Sequence, residues 1–172
     1  MRDNIDLVIF GSQGDLAKRK LLPALYRLDK ADLLPDNARI ASVARHQIST
    51  NIYLNQVQEN LQEVIPKKEW DNKVWTRFKR RIYYIKVDFS QKKQFNHVSD
   101  WMEENRKVIF YLATPPSLYE SICKHMASTG CVSENTRIVL EKPIGHDLRS
   151  SKQVNDAVCL LYTSPSPRDI PL

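Results

Sequence analysis

The segment Leu7–Leu25 reads LVIFGSQGDLAKRKLLPAL and joins an apolar run to an amphipathic one. Its first four residues, Leu7–Phe10, are apolar and include two β-branched side chains, which is typical of a strand buried on both faces. After Gly11 and Gly14, apolar residues recur at roughly helical spacing. The pattern predicts a strand that passes through a glycine turn directly into a helix.

The predicted turn is suited to binding phosphate. The first N–H groups of a helix have no partner within the helix, and the helix dipole favours an anion beside them. The two glycines are three residues apart, which differs from the G-x-G-x-x-G pattern of dinucleotide-binding proteins. From this segment alone, two interpretations remain open: a phosphate-binding turn, and a turn that only connects strand to helix.

Strand and helix patterns alternate along the rest of the chain. Strands are predicted at 5–10, 39–44, 82–87, 108–112 and 137–141, with helices between them and a last helix near Asp147. This alternation predicts a single α/β domain, a Rossmann-like parallel sheet with helices on both faces. Such sheets bind ligands at the carboxyl ends of their strands. The residues at those ends are Gly11–Asp15, Arg45, Asp88, residues 113–116 and Lys142.

Composition sets limits on the class of protein. The 172 residues, 42% hydrophobic and 27% charged, suffice for one well-buried domain. No apolar run approaches the roughly 18–20 residues that cross a membrane, and the polar N-terminus does not read as a signal peptide. The three cysteines, Cys123, Cys131 and Cys159, lack C-x-x-C spacing, which favours reduced thiols. We therefore expect a cytoplasmic protein without a membrane partner and without a metal site.

The net charge of +6 suggests an anionic partner. Its densest source is the segment 67–81, where basic residues alternate with aromatic ones, and one interpretation is a nucleic-acid surface. However, Trp70, Val74 and Phe78 are four residues apart, which places them on one helical stripe. We expect this stripe to pack inward while the cations face water, and we expect no nucleic-acid partner.

Arg45 follows the second predicted strand. An acidic residue at this position would bind the ribose 2′-hydroxyl and favour NAD, but Val43–Gln47 contains no carboxylate. The charged fork of an arginine suits a 2′-phosphate. The residue type favours NADP, and an exposed arginine without a ligand is the alternative.

Lys142 follows the fifth predicted strand, between Glu141 and Pro143. Its ammonium group could contact a nicotinamide ribose, a substrate oxygen or a phosphate. A solvated lysine is the alternative.

Three blocks of sequence resemble the glucose-6-phosphate dehydrogenase family. They are GSQGDLAKRKLLPAL at 11–25, YLATPP at 111–116 with Tyr119, and VLEKPIG at 139–145. The resemblance covers about residues 7–157. It implies an NADP-dependent oxidoreductase that converts glucose 6-phosphate to 6-phosphogluconolactone, in a cytoplasmic homo-oligomer.

The resemblance also implies roles for individual residues. The coenzyme diphosphate would be held by the segment of Gly11, Ser12, Gln13, Gly14, Asp15, Leu16, Ala17 and Lys18. Arg45 would bind the 2′-phosphate, Tyr119 would lie near the coenzyme, and Lys142 would contact both coenzyme and glucose 6-phosphate. Gln13 departs from the family, which often has serine or threonine there.

The family's Asp-His-Tyr-Leu-Gly-Lys block and its catalytic histidine do not occur in these residues. Since proton removal needs a positioned base, we expect no catalytic residue here and no activity from this chain alone. We interpret residues 1–158 as the NADP-binding domain of an enzyme whose second domain is absent. Residues 159–172 break the helical pattern and read as a non-native, adapter-derived tail. If that tail is native, the alternative is a stand-alone nucleotide-binding module without catalysis.

Overall fold

The structure, a computed structural model, describes residues 4–141. These residues form one five-stranded parallel sheet of spatial order β3-β2-β1-β4-β5. The strands are β1 (Ile5–Phe10), β2 (Arg39–Ala44), β3 (Ile82–Lys86), β4 (Lys107–Leu112) and β5 (Thr136–Leu140). The predicted Rossmann-like α/β fold is confirmed. The predicted helix near Asp147, together with Lys142 and Cys159, lies outside the described residues.

Helices connect successive strands. They are α1 (Leu22–Lys30), α2 (Thr50–Val64), α3 (Asn72–Lys79), α4 (Asn96–Trp101) and α5 (Tyr119–Ser128). A π-helical segment, Ala17–Leu21, leads into α1, and 3-10 turns precede α4 and α5. Ser49 caps α2 by accepting a hydrogen bond from the N–H of Ile52 at 3.2 Å. The 3-10 turn Pro116–Leu118 leads into α5 without a side-chain cap.

Two hydrophobic cores lie on opposite faces of the sheet. Because strand side chains alternate between faces, Val8 and Phe10 enter one core and Ile9 enters the other. The first core packs against α4 and α5, and the second packs against α1, α2 and α3. β1 is therefore buried on both sides, as its continuous apolar run predicted.

The basic aromatic segment packs inward through α3. Val74, Trp75 and Phe78 are buried there, and the ring of Trp70 stacks on Tyr26 with centroids 5.2 Å apart. The inward packing predicted for Val74 and Phe78 is confirmed. Two parts of the prediction are wrong: Trp70 lies before α3 rather than on its stripe, and Arg81, a cation of the same segment, is only 7% exposed.

The inner face of α2 is formed by Tyr53, Val57 and Leu61. Ile52 and Val64 are 51% and 36% exposed, whereas Tyr53 is buried. The helix turns Tyr53, Val57 and Leu61 toward the sheet, where they join the second core.

At the amino ends of the strands, Asp6 is fully buried between two arginines. Arg39 donates to both of its carboxylate oxygens, from Nε at 2.9 Å and from Nη2 at 2.5 Å. Arg106 donates from Nε at 2.8 Å. This cluster ties the starts of β1, β2 and β4 together.

Asp29 forms a second cluster at the same edge. Arg81, which precedes β3, donates from Nη2 to Asp29 Oδ1 at 3.0 Å and from Nη1 to the carbonyls of residues 35, 36 and 38. Arg77 of α3 donates from Nε to Asp29 Oδ1 at 3.2 Å. We call this side of the sheet the amino edge; it is defined by the Asp6 and Asp29 clusters.

Two further sequence expectations concern thiols and membranes. Cys123 and Cys131 are buried and free, and burial raises the pKa of the Cys123 thiol to about 12. Between residues 4 and 141, no helix combines the length and apolarity that a membrane span requires.

Candidate coenzyme-binding site

A pocket of about 720 Å³ opens at the carboxyl ends of the strands. It lies above β1, where the strand order changes direction: β2 and β3 lie on one side of β1, and β4 and β5 lie on the other. This switch point is where open parallel sheets bind their ligands. The lining comes from the glycine turn, from the segments after β2 and β3, and from the segment after β4: Gly11, Gln13, Gly14, Ala44, Arg45, His46, Asp88, Phe89, Ser90, Ala113, Thr114, Pro115 and Leu118. We call it the carboxyl-edge pocket.

The glycine turn is shaped by two close approaches. Gly11 has a φ of +86°, and a Cβ there would lie 2.9 Å from the carbonyl oxygen of Ala113. A Cβ on Gly14 would lie 3.2 Å from the oxygen of Gly11. Only glycine can combine the positive φ and the close approach found at position 11 without strain. The turn therefore stays close to β4 and leaves the space above it open.

The N–H groups of the turn divide into paired and free donors. Gly11 and Ser12 donate to the carbonyl of Val43, at 3.0 and 3.3 Å, and Gly14 donates to Gly11. Four other N–H groups, in the turn and in the first helical residues, have no hydrogen-bond acceptor within residues 4–141: Gln13, Asp15, Leu16 and Ala17. These donors at the start of a helix can hold an anion such as a diphosphate. The backbone N–H of Lys18 donates to the carbonyl of Gly14 at 3.1 Å, which continues the helix.

The side chain of Ser12 faces the protein interior. Ser12 is 1% exposed, and its hydroxyl lies among the buried hydroxyls of Ser42 and Tyr53. Burial raises the pKa of Tyr53, and the neighbouring Ser42 and Ser12 hydroxyls lower it in part. The Ser12 side chain therefore packs beneath the turn, on its interior side. The neighbouring side chain of Gln13 lines the pocket.

Arg45 lines the pocket directly after β2 and is exposed. Among the described residues, no hydrogen bond or short ion pair fixes its guanidinium. Asp88, after β3, lines the same pocket. Hydrogen bonds from the hydroxyl and N–H of Ser90 lower the pKa of Asp88, and the charge of Arg45 lowers it further. Arg45 is thus a cation free to meet an anion, with one carboxylate nearby.

Gln13 connects the glycine turn to the segment after β2. Its Oε1 lies 2.7 Å from Nδ1 of His46, and its Nε2 lies 3.4 Å from Oε1 of Gln56. The backbone oxygen of His46 accepts a hydrogen bond from the Tyr84 hydroxyl at 2.6 Å. Sequence patterns carry no signal for these contacts, because the partners are 33, 38 and 43 residues apart.

Tyr119 does not line the carboxyl-edge pocket. It is 1% exposed, and its hydroxyl donates to the backbone oxygen of Glu141 at 3.2 Å. Tyr111 donates to the carboxylate of the same residue. The two tyrosines fix the residue that precedes Lys142, and the structure gives Tyr119 a supporting position rather than a pocket-lining one.

Thr114 is a pocket residue that the sequence indicated only as part of a block. It is 9% exposed, and its hydroxyl has no hydrogen-bond partner in the part of the chain that the structure describes. Within the same residues, no group of three or more His, Cys, Asp or Glu side chains could hold a metal ion. The chemistry available at this pocket is anion binding by N–H groups, a cation and hydroxyls.

The sheet order, the glycine turn and the pocket at the switch point define a dinucleotide-binding domain of the Rossmann type. A family model described as "Glucose-6-phosphate dehydrogenase, NAD binding domain" matches residues 8–165. The chain therefore belongs to the glucose-6-phosphate dehydrogenase family and contains its dinucleotide-binding domain.

Curated relatives agree with this family. Over 158 residues the chain is 38% identical to a glucose-6-phosphate 1-dehydrogenase of Dickeya dadantii, covering 91% of the chain and 32% of that protein. Over 166 residues it is 39% identical to the enzyme of Mycolicibacterium smegmatis, covering 93% of the chain and 34% of that protein. The chain spans about a third of the length of these relatives.

Solved structures show the same fold. A glucose-6-phosphate 1-dehydrogenase from Mycobacterium avium superimposes with a TM-score of 0.83 at 28% identity, over 96% of this chain and 35% of that one. A glucose-6-phosphate dehydrogenase in complex with glucose 6-phosphate superimposes with a TM-score of 0.77 at 24% identity, over 94% of this chain and 35% of that one.

Proposed function

We propose that this chain is the NADP-binding part of a glucose-6-phosphate 1-dehydrogenase. The observation that carries the choice of NADP is Arg45, an unpaired cation at the end of β2 in the same pocket as the glycine turn. A dinucleotide whose diphosphate lies over the turn places its adenosine ribose near the end of the second strand. Arg45 would meet a 2′-phosphate there.

The free N–H groups after Gly11 would hold the diphosphate, since helix-start donors and the dipole both favour an anion. Thr114 would offer its hydroxyl to the coenzyme from the segment after β4. Lys142 would contact both coenzyme and glucose 6-phosphate, following a strand end that Tyr111 and Tyr119 fix through Glu141.

The bound coenzyme would supply the hydride acceptor. The intact enzyme would oxidise glucose 6-phosphate to the lactone, with hydride passing to NADP⁺ and the hydroxyl proton to a base. We assign no such base to residues 4–141, and the family's Asp-His-Tyr-Leu-Gly-Lys block does not occur in the sequence; on these two grounds we expect the chain alone to bind coenzyme without turnover. We further propose that the intact enzyme is a cytoplasmic homo-oligomer that uses neither nucleic acid nor membrane.

Titration of NADP⁺ and NAD⁺ against the chain and Arg45→Ala tests the coenzyme assignment. Loss of charge-assisted bonds to the 2′-phosphate would raise Kd for NADP⁺ about tenfold or more, with Kd for NAD⁺ within about twofold. Arg80→Ala is the matched control, because Arg80 is an exposed arginine that lines a cavity at the amino edge. Equal weakening of both coenzymes by Arg45→Ala would refute the role of Arg45.

The absence of turnover has its own test. The purified chain, incubated with NADP⁺ and glucose 6-phosphate, would form no NADPH above the buffer rate by absorbance. Measurable NADPH formation would show that these residues contain the base after all.

A further inference from the structure

Tyr84 occupies an unusual position between the core and the carboxyl-edge pocket. It lies on β3, half-buried, and its ring contacts the ring of Tyr53 with centroids 4.8 Å apart. Its hydroxyl donates to the backbone oxygen of His46 at 2.6 Å. This distance is within the range of a good O–H···O hydrogen bond.

The residue that Tyr84 holds is the neighbour of Arg45. Residues 45–49 leave β2 without regular structure until Ser49 caps α2. Two contacts restrain the start of this segment: the Tyr84 hydroxyl on the backbone of His46, and Gln13 on the His46 ring at 2.7 Å. Both contacts connect it to rigid parts of the fold.

Arg45 itself has no side-chain partner among the described residues. Its direction therefore depends on its backbone, and that backbone adjoins the peptide that Tyr84 fixes. A segment that is ordered before binding loses less conformational entropy when the ligand arrives. Releasing the segment would weaken only those ligand contacts that Arg45 makes.

We infer that Tyr84 is a positioning residue for coenzyme selection, which holds the segment 45–46 so that Arg45 meets the 2′-phosphate of NADP. This inference rests on the proposed function, since it gives Tyr84 an effect only through Arg45. The diphosphate contacts of the glycine turn, shared by NADP and NAD, would not depend on Tyr84.

Tyr84→Phe is the decisive variant, because it removes the hydroxyl and keeps the ring that packs on Tyr53. We expect Kd for NADP⁺ to rise about three- to tenfold, the effect of one hydrogen bond, with little change for NAD⁺. Tyr83→Phe is the matched control on the same strand. Tyr83 faces the other side of the sheet, against Trp101, and its hydroxyl has no hydrogen bond within residues 4–141.

A double-mutant cycle separates positioning from a merely structural role. If Tyr84 acts through Arg45, Tyr84→Phe has no further effect on NADP⁺ binding in the Arg45→Ala background. Equal weakening of both coenzymes, or effects of Tyr84→Phe and Arg45→Ala that simply add, would overturn the inference.

The same titrations distinguish the two levels of the proposal. If the unmodified chain and Arg45→Ala bind the two coenzymes alike, the proposed function fails and the role of Tyr84 fails with it. If Arg45→Ala abolishes the preference for NADP⁺ while Tyr84→Phe retains it, only the inference about Tyr84 fails.

Discussion

The two edges of the sheet differ in whether their polar groups have hydrogen-bond or ion-pair partners. At the amino edge, Asp6 and Asp29 are almost completely buried, and each carboxylate lies between two arginines. At the carboxyl edge, three kinds of group have no partner within residues 4–141: the N–H groups of Gln13 and of residues 15–17, the hydroxyl of Thr114 and the guanidinium of Arg45. Buried polar groups are normally paired. The pairing at one edge stabilises the fold, and the unpaired groups at the other are those that the proposed coenzyme site would use.

The number of arginines alone would point to the wrong edge. A cavity of about 520 Å³ at the amino edge is lined by Arg39, Arg77, Arg80, Arg81 and Arg106. Four of these cations already pair with carboxylates of residues 6, 29, 32 and 103. The carboxyl-edge pocket has one arginine, and that one is free. Within residues 4–141 Arg80 is likewise unpaired at the amino edge, so the feature that distinguishes the carboxyl edge is the combination of Arg45 with the free N–H groups of the glycine turn.

The largest effect is expected at the amino edge. Asp6→Asn leaves the buried guanidinium of Arg106 without a carboxylate and leaves Arg39 paired only with Glu103, so the free energy of unfolding should fall by about 3–5 kcal/mol. Denaturant unfolding measures the loss. Asp36→Asn, an exposed position that lines the amino-edge cavity, should change stability by about 0.5 kcal/mol or less. Equal effects of the two substitutions would contradict the role of the Asp6 cluster.

Gly11→Ala should weaken coenzyme binding at the carboxyl-edge pocket. The added Cβ meets the oxygen of Ala113 at 2.9 Å with φ at +86°, which costs about 2 kcal/mol or more and displaces the turn. Calorimetric titration should show both coenzymes weakened together, because the diphosphate contacts are common to them.

Gly130→Ala is the control for the backbone strain alone. Gly130 has a φ of +77° but open space around its Cβ position, so we expect about 1–2 kcal/mol of destabilisation and unchanged binding. Normal coenzyme affinity in Gly11→Ala would show that the turn does not hold the diphosphate.

The sequence predicted the fold well, because strand and helix periods are local properties. The run Leu7–Phe10 and the glycines after it identified β1, the turn and the pocket, since the carboxyl ends of parallel strands share one edge. Contacts across the fold carried no such signal. Three features depend on how the fold brings together segments that are dozens of residues apart. They are the contact of Gln13 with His46, the hydrogen bond from Tyr84 to the His46 backbone, and the burial of Tyr119.

The smallest effect is expected at Asp88. Asp88→Asn removes a negative charge from the pocket that contains Arg45, so Kd for NADP⁺ should fall about two- to threefold, more than Kd for NAD⁺. The gain should shrink at high salt, because exposed charges are screened. Asp32→Asn, at the amino edge, should leave both affinities unchanged. Weaker NADP⁺ binding by Asp88→Asn would mean that this carboxylate binds the coenzyme instead of repelling it.

The structure of the chain with NADP⁺ bound compares the two edges most directly. We expect the diphosphate over the turn Gly11–Gly14, at the free N–H groups, and the 2′-phosphate about 3 Å from the Arg45 guanidinium. A 2′-phosphate located away from Arg45, or a coenzyme bound among the arginines of the amino edge, would contradict the assignment.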